Sequence, residues 1–252
     1  MRIISIMSTK GGVGKTTIAT NLALALQNFN RQTVLFDFNF TSPHVSLYLN
    51  FLNAEKTLNN FLKNECNFNE ILYKHSSGLT IVPTSLSLKD VANVDLNLKN
   101  VIEENLKNFE FVIIDSAPGL GKEALISLNS CNEIIFVANP DLLSIFDIAK
   151  TYKFINSLEN KPIVWGIILN KVSNKPYELR KEEVEKYTGL PVLASIKENK
   201  KFIESLNERI PAYFFDSKVR EEFNLLAAKI AGIPYERKSL IERIIGRFLK
   251  RI

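Results

Sequence analysis

Eight residues near the start of the chain have the types and spacing of a phosphate-binding loop. The run is Lys10-Gly11-Gly12-Val13-Gly14-Lys15-Thr16-Thr17. Glycines lack Cβ and let the backbone approach a phosphate closely, and N–H groups at a helix N-terminus point toward it. In such a loop Lys15 binds the β- and γ-phosphates and the Thr16 hydroxyl binds Mg²⁺. The sequence therefore predicts a site for a nucleoside triphosphate with Mg²⁺.

A second candidate site is Asp115, which directly follows the apolar run Phe111 to Ile114. A carboxylate at the tip of a strand beside the phosphate loop can hold Mg²⁺ through water. The alternative is a plain strand terminator, because apolar runs that end in Asp are frequent. We expect the metal-linked role.

The elements that must position these residues alternate along the chain. Helix-like segments, such as Leu88 to Leu106, Leu142 to Ser157 and Tyr177 to Tyr187, separate short apolar runs. Such an alternation predicts an α/β fold with a doubly wound, mostly parallel sheet, and ligands bind at the carboxyl ends of its strands. The strand-like runs are Ile3 to Met7, Thr33 to Phe36, Leu79 to Val82, Phe111 to Ile114, Ile134 to Ala138, Ile163 to Leu169 and Val192 to Ile196.

The positive charge of the chain lies in its last sixteen residues. The 252 residues include 32 basic and 27 acidic ones, a net charge of +5. Residues 237–252 hold six of the basic residues and one acid, which leaves 26 of each sign in the remainder. A protein that coats nucleic acid usually carries a basic face on its folded body. The neutral body therefore argues against nucleic acid as a partner.

The same segment is predicted to form an amphipathic helix. It follows a break at Gly232-Ile233-Pro234. We therefore expect the P-loop domain to span residues 1–232, and a linker with this helix to span residues 233–252. A short basic amphipathic helix fits an anchor lying in an anionic membrane surface. The alternatives are packing on its own domain and binding a protein partner. The predicted apolar face consists of Leu240, Ile241, Ile244, Ile245, Phe248, Leu249 and Ile252.

The phosphate loop, with Lys10 at its start, resembles the variant loop KGGVGKT[TS] of the MinD/ParA family. The stretch Asp115 to Ala124, DSAPGLGKEA, is similar to the second switch of MinD-type members. The run Phe248 to Arg251 resembles their C-terminal membrane-targeting segment. The resemblance implies that Lys10 reaches the nucleotide of a second subunit, and hence an ATP-dependent homodimer.

The stretch Phe36 to Val45 is similar to the first switch of the family, usually written D-x-D. The resemblance implies that Asp37 orients the attacking water and supports the metal site. Asn39 stands where the second acid is usual, and an amide cannot accept a proton as a carboxylate does. We therefore expect slow hydrolysis, with a surface turn as the alternative reading of Asn39. His44 is expected to start a helix or pack and not to act in catalysis.

Asn170 follows the run Ile163 to Leu169. In related P-loop proteins an Asn at this place reads the adenine edge, and the alternative is a polar strand end. Thr17 completes the expected nucleotide contacts.

Together these features predict a MinD-like ATPase that binds Mg-ATP, dimerises and docks reversibly on the membrane, where it positions other proteins. We expect a cytoplasmic protein that is peripheral on the inner face of the cell membrane, with an activator or cargo protein as a further partner. A ParA-like DNA-partitioning ATPase and a nucleotide-dependent scaffold with little hydrolysis are the alternatives. An iron-sulfur carrier with the same loop needs a C-x-x-C motif, which the two cysteines do not form.

Overall fold

The computed structural model of the chain describes residues 1–85 and 97–236. Its centre is an eight-stranded sheet with the strand order β3-β4-β2-β5-β1-β6-β7-β8. All neighbouring strands are parallel except β3 and β4. The strands are β1 (Arg2–Met7), β2 (Thr33–Phe38), β3 (Tyr73–Lys74), β4 (Thr80–Val82), β5 (Phe111–Ser116), β6 (Glu133–Ala138), β7 (Ile163–Val172) and β8 (Val192–Lys197).

Helices cover both faces of this sheet. One face packs against α1, α9 and α10, and the other packs mainly against α3 to α7. The described helices are α1 (Lys15–Asn28), α2 (Val45–Tyr48), α3 (Leu58–Leu62), α4 (Lys99–Asn105), α5 (Lys122–Asn129), α6 (Leu142–Asn156), α7 (Lys181–Thr188), α8 (Lys201–Asn207), α9 (Ala212–Phe215) and α10 (Ser217–Ala231), and a 3-10 turn spans Phe68–Ile71.

The central strands are continuous apolar runs because both of their faces are covered. Every residue of β2, β5 and β6 is buried. Alternate residues of one strand contribute to opposite layers of the core, as Ile113 does on the α1 side and Ile114 on the other. The predicted doubly wound α/β fold is confirmed, and all seven predicted strands are present.

The helix predictions differ from the structure in detail. The predicted helix from Tyr177 begins only at Lys181, because the Glu178 carboxylate accepts backbone N–H bonds from Ser173 and Asn174 and holds a turn there. Of the predicted helix from Leu88, the part over Lys99–Asn105 is helical and the part up to residue 96 lies outside the described residues.

The end of the last described helix falls near the predicted domain boundary. Helix α10 ends at Ala231, and Gly232 caps it with φ of 65°. The predicted amphipathic segment, residues 237–252, lies outside the described residues, so its helix and the two-part division stay predictions. Within the ranges 1–85 and 97–236, no helix has both the length and the apolarity that spanning a bilayer requires.

Candidate functional site

The phosphate loop joins the central strand β1 to the N-terminus of α1. Gly12 and Gly14 have φ of 75° and 97°, in the left-handed region that favours glycine. No side chain caps α1, and its first turn holds no acid. The N–H groups of that turn therefore remain available to an anion. Cβ atoms at Gly11 and Gly12 would meet open space, so the loop lines an open cradle.

Two residues at the end of β7 donate hydrogen bonds to carbonyl groups of this loop and so fix its shape. Asn170 Nδ2 donates to the carbonyl of Val13 at 2.7 Å, and Lys171 Nζ donates to that of Gly12 at 2.8 Å. A Cβ on Gly14 would collide with Asn170 Nδ2, which is a second reason for glycine there. Holding the two carbonyls outward leaves the loop N–H groups for the ligand. Asn170 thus has a structural contact, and its predicted adenine contact stays a prediction.

Thr16 and Asp115 lie together at the carboxyl edge of the sheet. Thr16 Oγ1 donates to Asp115 Oδ2 at 2.6 Å, across 99 residues of sequence. The other oxygen, Asp115 Oδ1, is buried and has no hydrogen-bond partner among the described residues. Burial lowers the pKa of the nearby Lys15 ammonium, and the negative charge of Asp115 partly offsets that effect.

Asp37 is directly opposite Asp115 in the register of β2 and β5. Burial, and then the charge of Asp115, raises the pKa of Asp37 to about 8, although three backbone N–H groups oppose the shift. Burial also raises the pKa of Asp115 to about 6, against the Thr16 hydrogen bond and the charge of Lys15. Two buried carboxyls side by side resist full ionisation unless a cation joins them.

Residues 39–45, which follow β2 and end at the first residue of α2, are called here the loop of residues 39–45, and the Asp37 carboxyl anchors it at both ends. Oδ1 accepts from Asn39 N at 3.0 Å, and Oδ2 accepts from His44 N and Val45 N at 2.9 and 3.1 Å. Asn39 Nδ2 donates to Ser42 O at 2.7 Å, as the turn alternative for Asn39 requires. His44 is the N-cap residue of α2, so the expectation that it starts a helix is confirmed.

Lys10 and Thr17, at the two ends of the phosphate loop, contact other elements. Lys10 Nζ lies 3.5 Å from Asp141 Oδ1 in a half-exposed ion pair. Thr17 Oγ1 donates to the Tyr48 hydroxyl at 3.0 Å, which links the loop to α2.

Three residues of this region were not predicted from sequence. Asp141 caps α6 by accepting from Ser144 N and Oγ, a D-x-x-S spacing that identifies a helix start. Lys171 was quoted only as the neighbour of Asn170. Glu123 accepts a hydrogen bond from Thr41 Oγ1 at 3.2 Å, a contact between the start of α5 and the loop after β2 that no local pattern indicates.

The residues present fit Mg²⁺ bound together with a phosphate. Mg²⁺ is usually held by one or two carboxylates plus substrate phosphates, without a full set of protein ligands. In keeping with this, the described residues contain no group of three or more acidic, His or Cys side chains able to hold a metal by themselves. Asp115 Oδ1, which lacks a partner, and the adjacent Thr16 hydroxyl are hard oxygen donors at the end of the open cradle.

A glycine-rich turn between a buried strand and an uncapped helix, with Lys15, Thr16 and a strand-end carboxylate converging on it, defines a P-loop nucleoside triphosphatase fold. The profile of a family described as AAA domain matches residues 1–164.

One similar sequence and two similar solved structures show which members of this class the chain resembles. The chain is 31% identical over 252 residues to an uncharacterised ATP-binding protein of Methanocaldococcus jannaschii, covering 98% of this chain and 95% of that one. The crystal structure of the cell division ATPase MinD of Pyrococcus furiosus matches with a TM-score of 0.84 and 30% identity, covering 92% and 98% of the two chains. MinD of Pyrococcus horikoshii, complexed with Mg-ADP, also has a TM-score of 0.84, with 29% identity over 91% and 95%.

The chain therefore belongs to the MinD/ParA family of P-loop ATPases. The predicted family is confirmed, and so is the prediction that the cofactors are ATP and Mg²⁺.

Proposed function

We propose that this protein is a MinD-like ATPase switch. It binds Mg-ATP, dimerises with Lys10 of each subunit directed at the partner's nucleotide, and docks on the inner face of the cell membrane through two C-terminal segments. Hydrolysis splits the dimer and releases it to the cytoplasm. The membrane-bound dimer positions other proteins, and the description of the Pyrococcus furiosus relative as a cell division ATPase supports this role.

The observation that carries the proposal is the Thr16–Asp115 contact with its buried neighbour Asp37. It brings the hydroxyl that a P-loop offers to Mg²⁺ next to Asp115, with Asp37 opposite in the strand register, and a bound cation would favour the ionised form of both carboxyls. When bound, Mg²⁺ neutralises charge on the phosphates. Lys15 and the N–H groups of α1 bind the phosphate oxygens, and Asp37, by its resemblance to the first switch of the family, orients the attacking water.

Lys10 is available for a second subunit at little cost. Its partner Asp141 is about half exposed, with a side-chain accessibility of 49%, and Lys10 is 37% accessible. Exposed ion pairs of this kind contribute only ~0–1 kcal/mol. A γ-phosphate in the partner's site therefore competes easily for this ammonium group.

The membrane step works through avidity. One basic amphipathic segment binds anionic lipid reversibly, with ~1 kcal/mol from each basic residue near the surface. In a dimer the second docking is effectively intramolecular, so affinity rises ~10²-fold or more without a new contact. ATP thus recruits the protein to lipid although the nucleotide does not touch it.

Sedimentation with anionic liposomes in ATP and in ADP tests the proposal. We expect the full chain to sediment in ATP and to stay mostly in solution in ADP. Removing residues 237–252, or Phe248→Glu in the predicted apolar face, abolishes sedimentation while ATP-dependent dimerisation persists. Equal liposome binding in both nucleotides, or by the truncated chain, contradicts the membrane step.

A second candidate, a nucleotide-dependent scaffold with little hydrolysis, is favoured by Asn39. Asn39 is an amide, so the first switch has no second acid beside Asp37. Its Nδ2 donates to Ser42 O and closes a turn. A turnover assay with and without liposomes separates the two, since the scaffold still dimerises but releases no phosphate above background.

A further inference from the structure

The loop of residues 39–45 is attached at its middle as well as at its ends. Asp37 holds the ends through Asn39 and through His44 with Val45. The middle is held by Glu123, whose carboxylate accepts from Thr41 Oγ1 at 3.2 Å. The backbone N–H groups of Phe40 and Thr41 face the same carboxylate and oppose the rise in its pKa that burial causes. The contact therefore involves the backbone of the loop as well as one side chain.

Glu123 belongs to the other switch segment. It lies in the first turn of α5, directly after residues 117–121. Within that stretch Gly119 N donates to Ser8 O at 2.8 Å, and Ser8 Oγ donates to Lys10 O at 2.7 Å. A continuous series of hydrogen bonds and short covalent links therefore runs from the phosphate loop, through residues 117–123, to residues 40–41.

The surroundings of Glu123 separate this contact from an ordinary helix-start acid. An acid in a first helical turn is favourable because of the helix dipole, but it gains that energy while exposed. The Glu123 residue is only 8% exposed, and its partner Thr41 is 82 residues away in sequence. Burying a carboxylate is unfavourable unless its hydrogen bonds are satisfied, so the bonds to the loop are required for this placement.

Hydrogen bonds to an ionised group are stronger than those between neutral groups. The Thr41 hydroxyl donates to this carboxylate and the N–H groups of residues 40 and 41 face it, so that displacement of α5 at its N-terminus displaces residues 40–41 as well. Asp37, by contrast, lies within strand β2, whose six residues are all buried, and holds the two ends of the loop.

We propose that Glu123 is a positioning residue that couples the two switch segments, so that a change in residues 117–121 on binding the γ-phosphate moves the loop of residues 39–45 with it. This inference rests on the proposed ATPase switch. Glu123 acts through the loop that follows Asp37 and does not touch the nucleotide.

Hydrogen exchange of the full chain, measured by mass spectrometry, tests the coupling. The states compared are no nucleotide, Mg-ADP and Mg²⁺ with a non-hydrolysable ATP analogue. In the wild type we expect the analogue to slow exchange in residues 39–45 and 117–121 together. In Glu123→Ala we expect slower exchange only in 117–121, and without nucleotide the amides of Phe40 and Thr41 exchange ~10-fold faster or more, as for a locally released segment.

Matched variants show whether the effect belongs to this contact. Glu123→Gln keeps the volume and one acceptor oxygen and should give an intermediate effect of about 3-fold. Thr41→Val removes only the hydroxyl from an exposed residue and should act in the same direction. Glu104→Ala, an exposed acid on α4, should match the wild type. If Glu123→Ala does not fold, the Gln and Val variants decide the question.

The coupling is contradicted if the analogue still slows exchange in residues 39–45 of Glu123→Ala, or if all three contact variants match the wild type. Failure of the proposed function gives a different result. In that case the wild type shows no difference between the analogue and ADP in either segment and remains a monomer. Steady-state kinetics give an independent readout, because loss of positioning lowers kcat and leaves the nucleotide Kd within about 2-fold.

Discussion

The phosphate loop and the loop of residues 39–45 both follow the carboxyl ends of inner strands of the sheet, β1 and β2. They differ in whether their hydrogen-bond donors are free or already used. Asn170 and Lys171 hold carbonyls of the phosphate loop from outside, so its donors remain free for a ligand. In the loop of residues 39–45 the donors are already used, because buried carboxyls accept them. The first loop is a preformed binding site, whereas the second depends on carboxyls whose charge and position a nucleotide can change.

The largest expected effect comes from removing the anchor of the second loop. Asp37→Ala leaves three backbone N–H groups without their acceptor, and each unsatisfied buried group costs ~1–3 kcal/mol. After partial rearrangement we expect the free energy of unfolding to fall by ~2–4 kcal/mol in urea denaturation. Asp37→Asn keeps an acceptor oxygen and should lose less than half of that.

The matched change in the phosphate loop is Lys15→Met. It removes a buried ammonium group whose pKa burial already lowers. We expect stability within ~1 kcal/mol of the wild type, with loss of measurable ATP binding in calorimetry. Similar stability losses at both positions would contradict the contrast between the loops.

The next effect is on the pH dependence of stability. In the unfolded chain the two carboxyls lose their protons near pH 3.8, whereas in the folded protein their pKa values are about 6 and about 8. Between these values the folded state binds more protons, so the stability of the nucleotide-free protein falls as pH rises from about 4 to about 8. Asp115→Asn removes one carboxyl and the charge that raises the pKa of Asp37, so its stability should decline less.

Mg-ADP should reverse this trend, because a cation favours the ionised carboxyls. We expect the gain in melting temperature from Mg-ADP to increase between pH 5 and 8 in the wild type and to be small in Asp115→Asn. A wild-type stability that stays constant across this range would contradict the raised pKa values.

A smaller effect is expected from the support behind the phosphate loop. Asn170→Ala frees the carbonyl of Val13 and should weaken ATP binding ~10-fold, corresponding to ~1.4 kcal/mol. The exposed contact of Lys171 is worth less, so Lys171→Ala should weaken binding by no more than about 3-fold. Calorimetric titration checks both, and the reverse order would show that the buried amide does not support the loop.

The smallest effect concerns Asn39. Asn39→Asp removes the donor to Ser42 O, one exposed hydrogen bond worth ~0.5–1 kcal/mol, and restores a second carboxylate in the first switch. We expect a small loss of stability and faster phosphate release. A slower rate in this variant would show that the native amide has its own role in turnover.

The two loops also differ in how much of their structure could be predicted from the sequence. The phosphate loop is a local pattern, so residues 11–17 were predicted from their types and spacing, and the role of Lys10 was predicted from the family resemblance. Asp37 and Asp115 were each placed at a strand end, but their pairing depends on β2 and β5 being neighbours, which no local pattern states. The two-residue strand β3 and short helices such as α2 and α9 are too brief to show a periodicity.

The position of a residue at a strand end also does not show which neighbouring element its side chain contacts. Asn170 was predicted at the end of β7, and its side chain contacts the Val13 carbonyl because β7 lies two strands from β1 on the side of β6. The contact of Glu123 with Thr41 requires α5 to pack over the end of β2, which is a tertiary arrangement. Sequence thus predicted the phosphate loop better than the contacts of the loop of residues 39–45.

Light scattering of the full chain after incubation with Mg-ATP or Mg-ADP tests whether Lys10 joins two subunits across the nucleotide. We expect one chain in ADP and two in ATP for the wild type, and a monomer in both for Lys10→Ala, which still binds ATP with nearly normal affinity. A Lys10→Ala protein that dimerises with ATP as well as the wild type, or a wild type that remains a monomer in ATP, would contradict this role of Lys10.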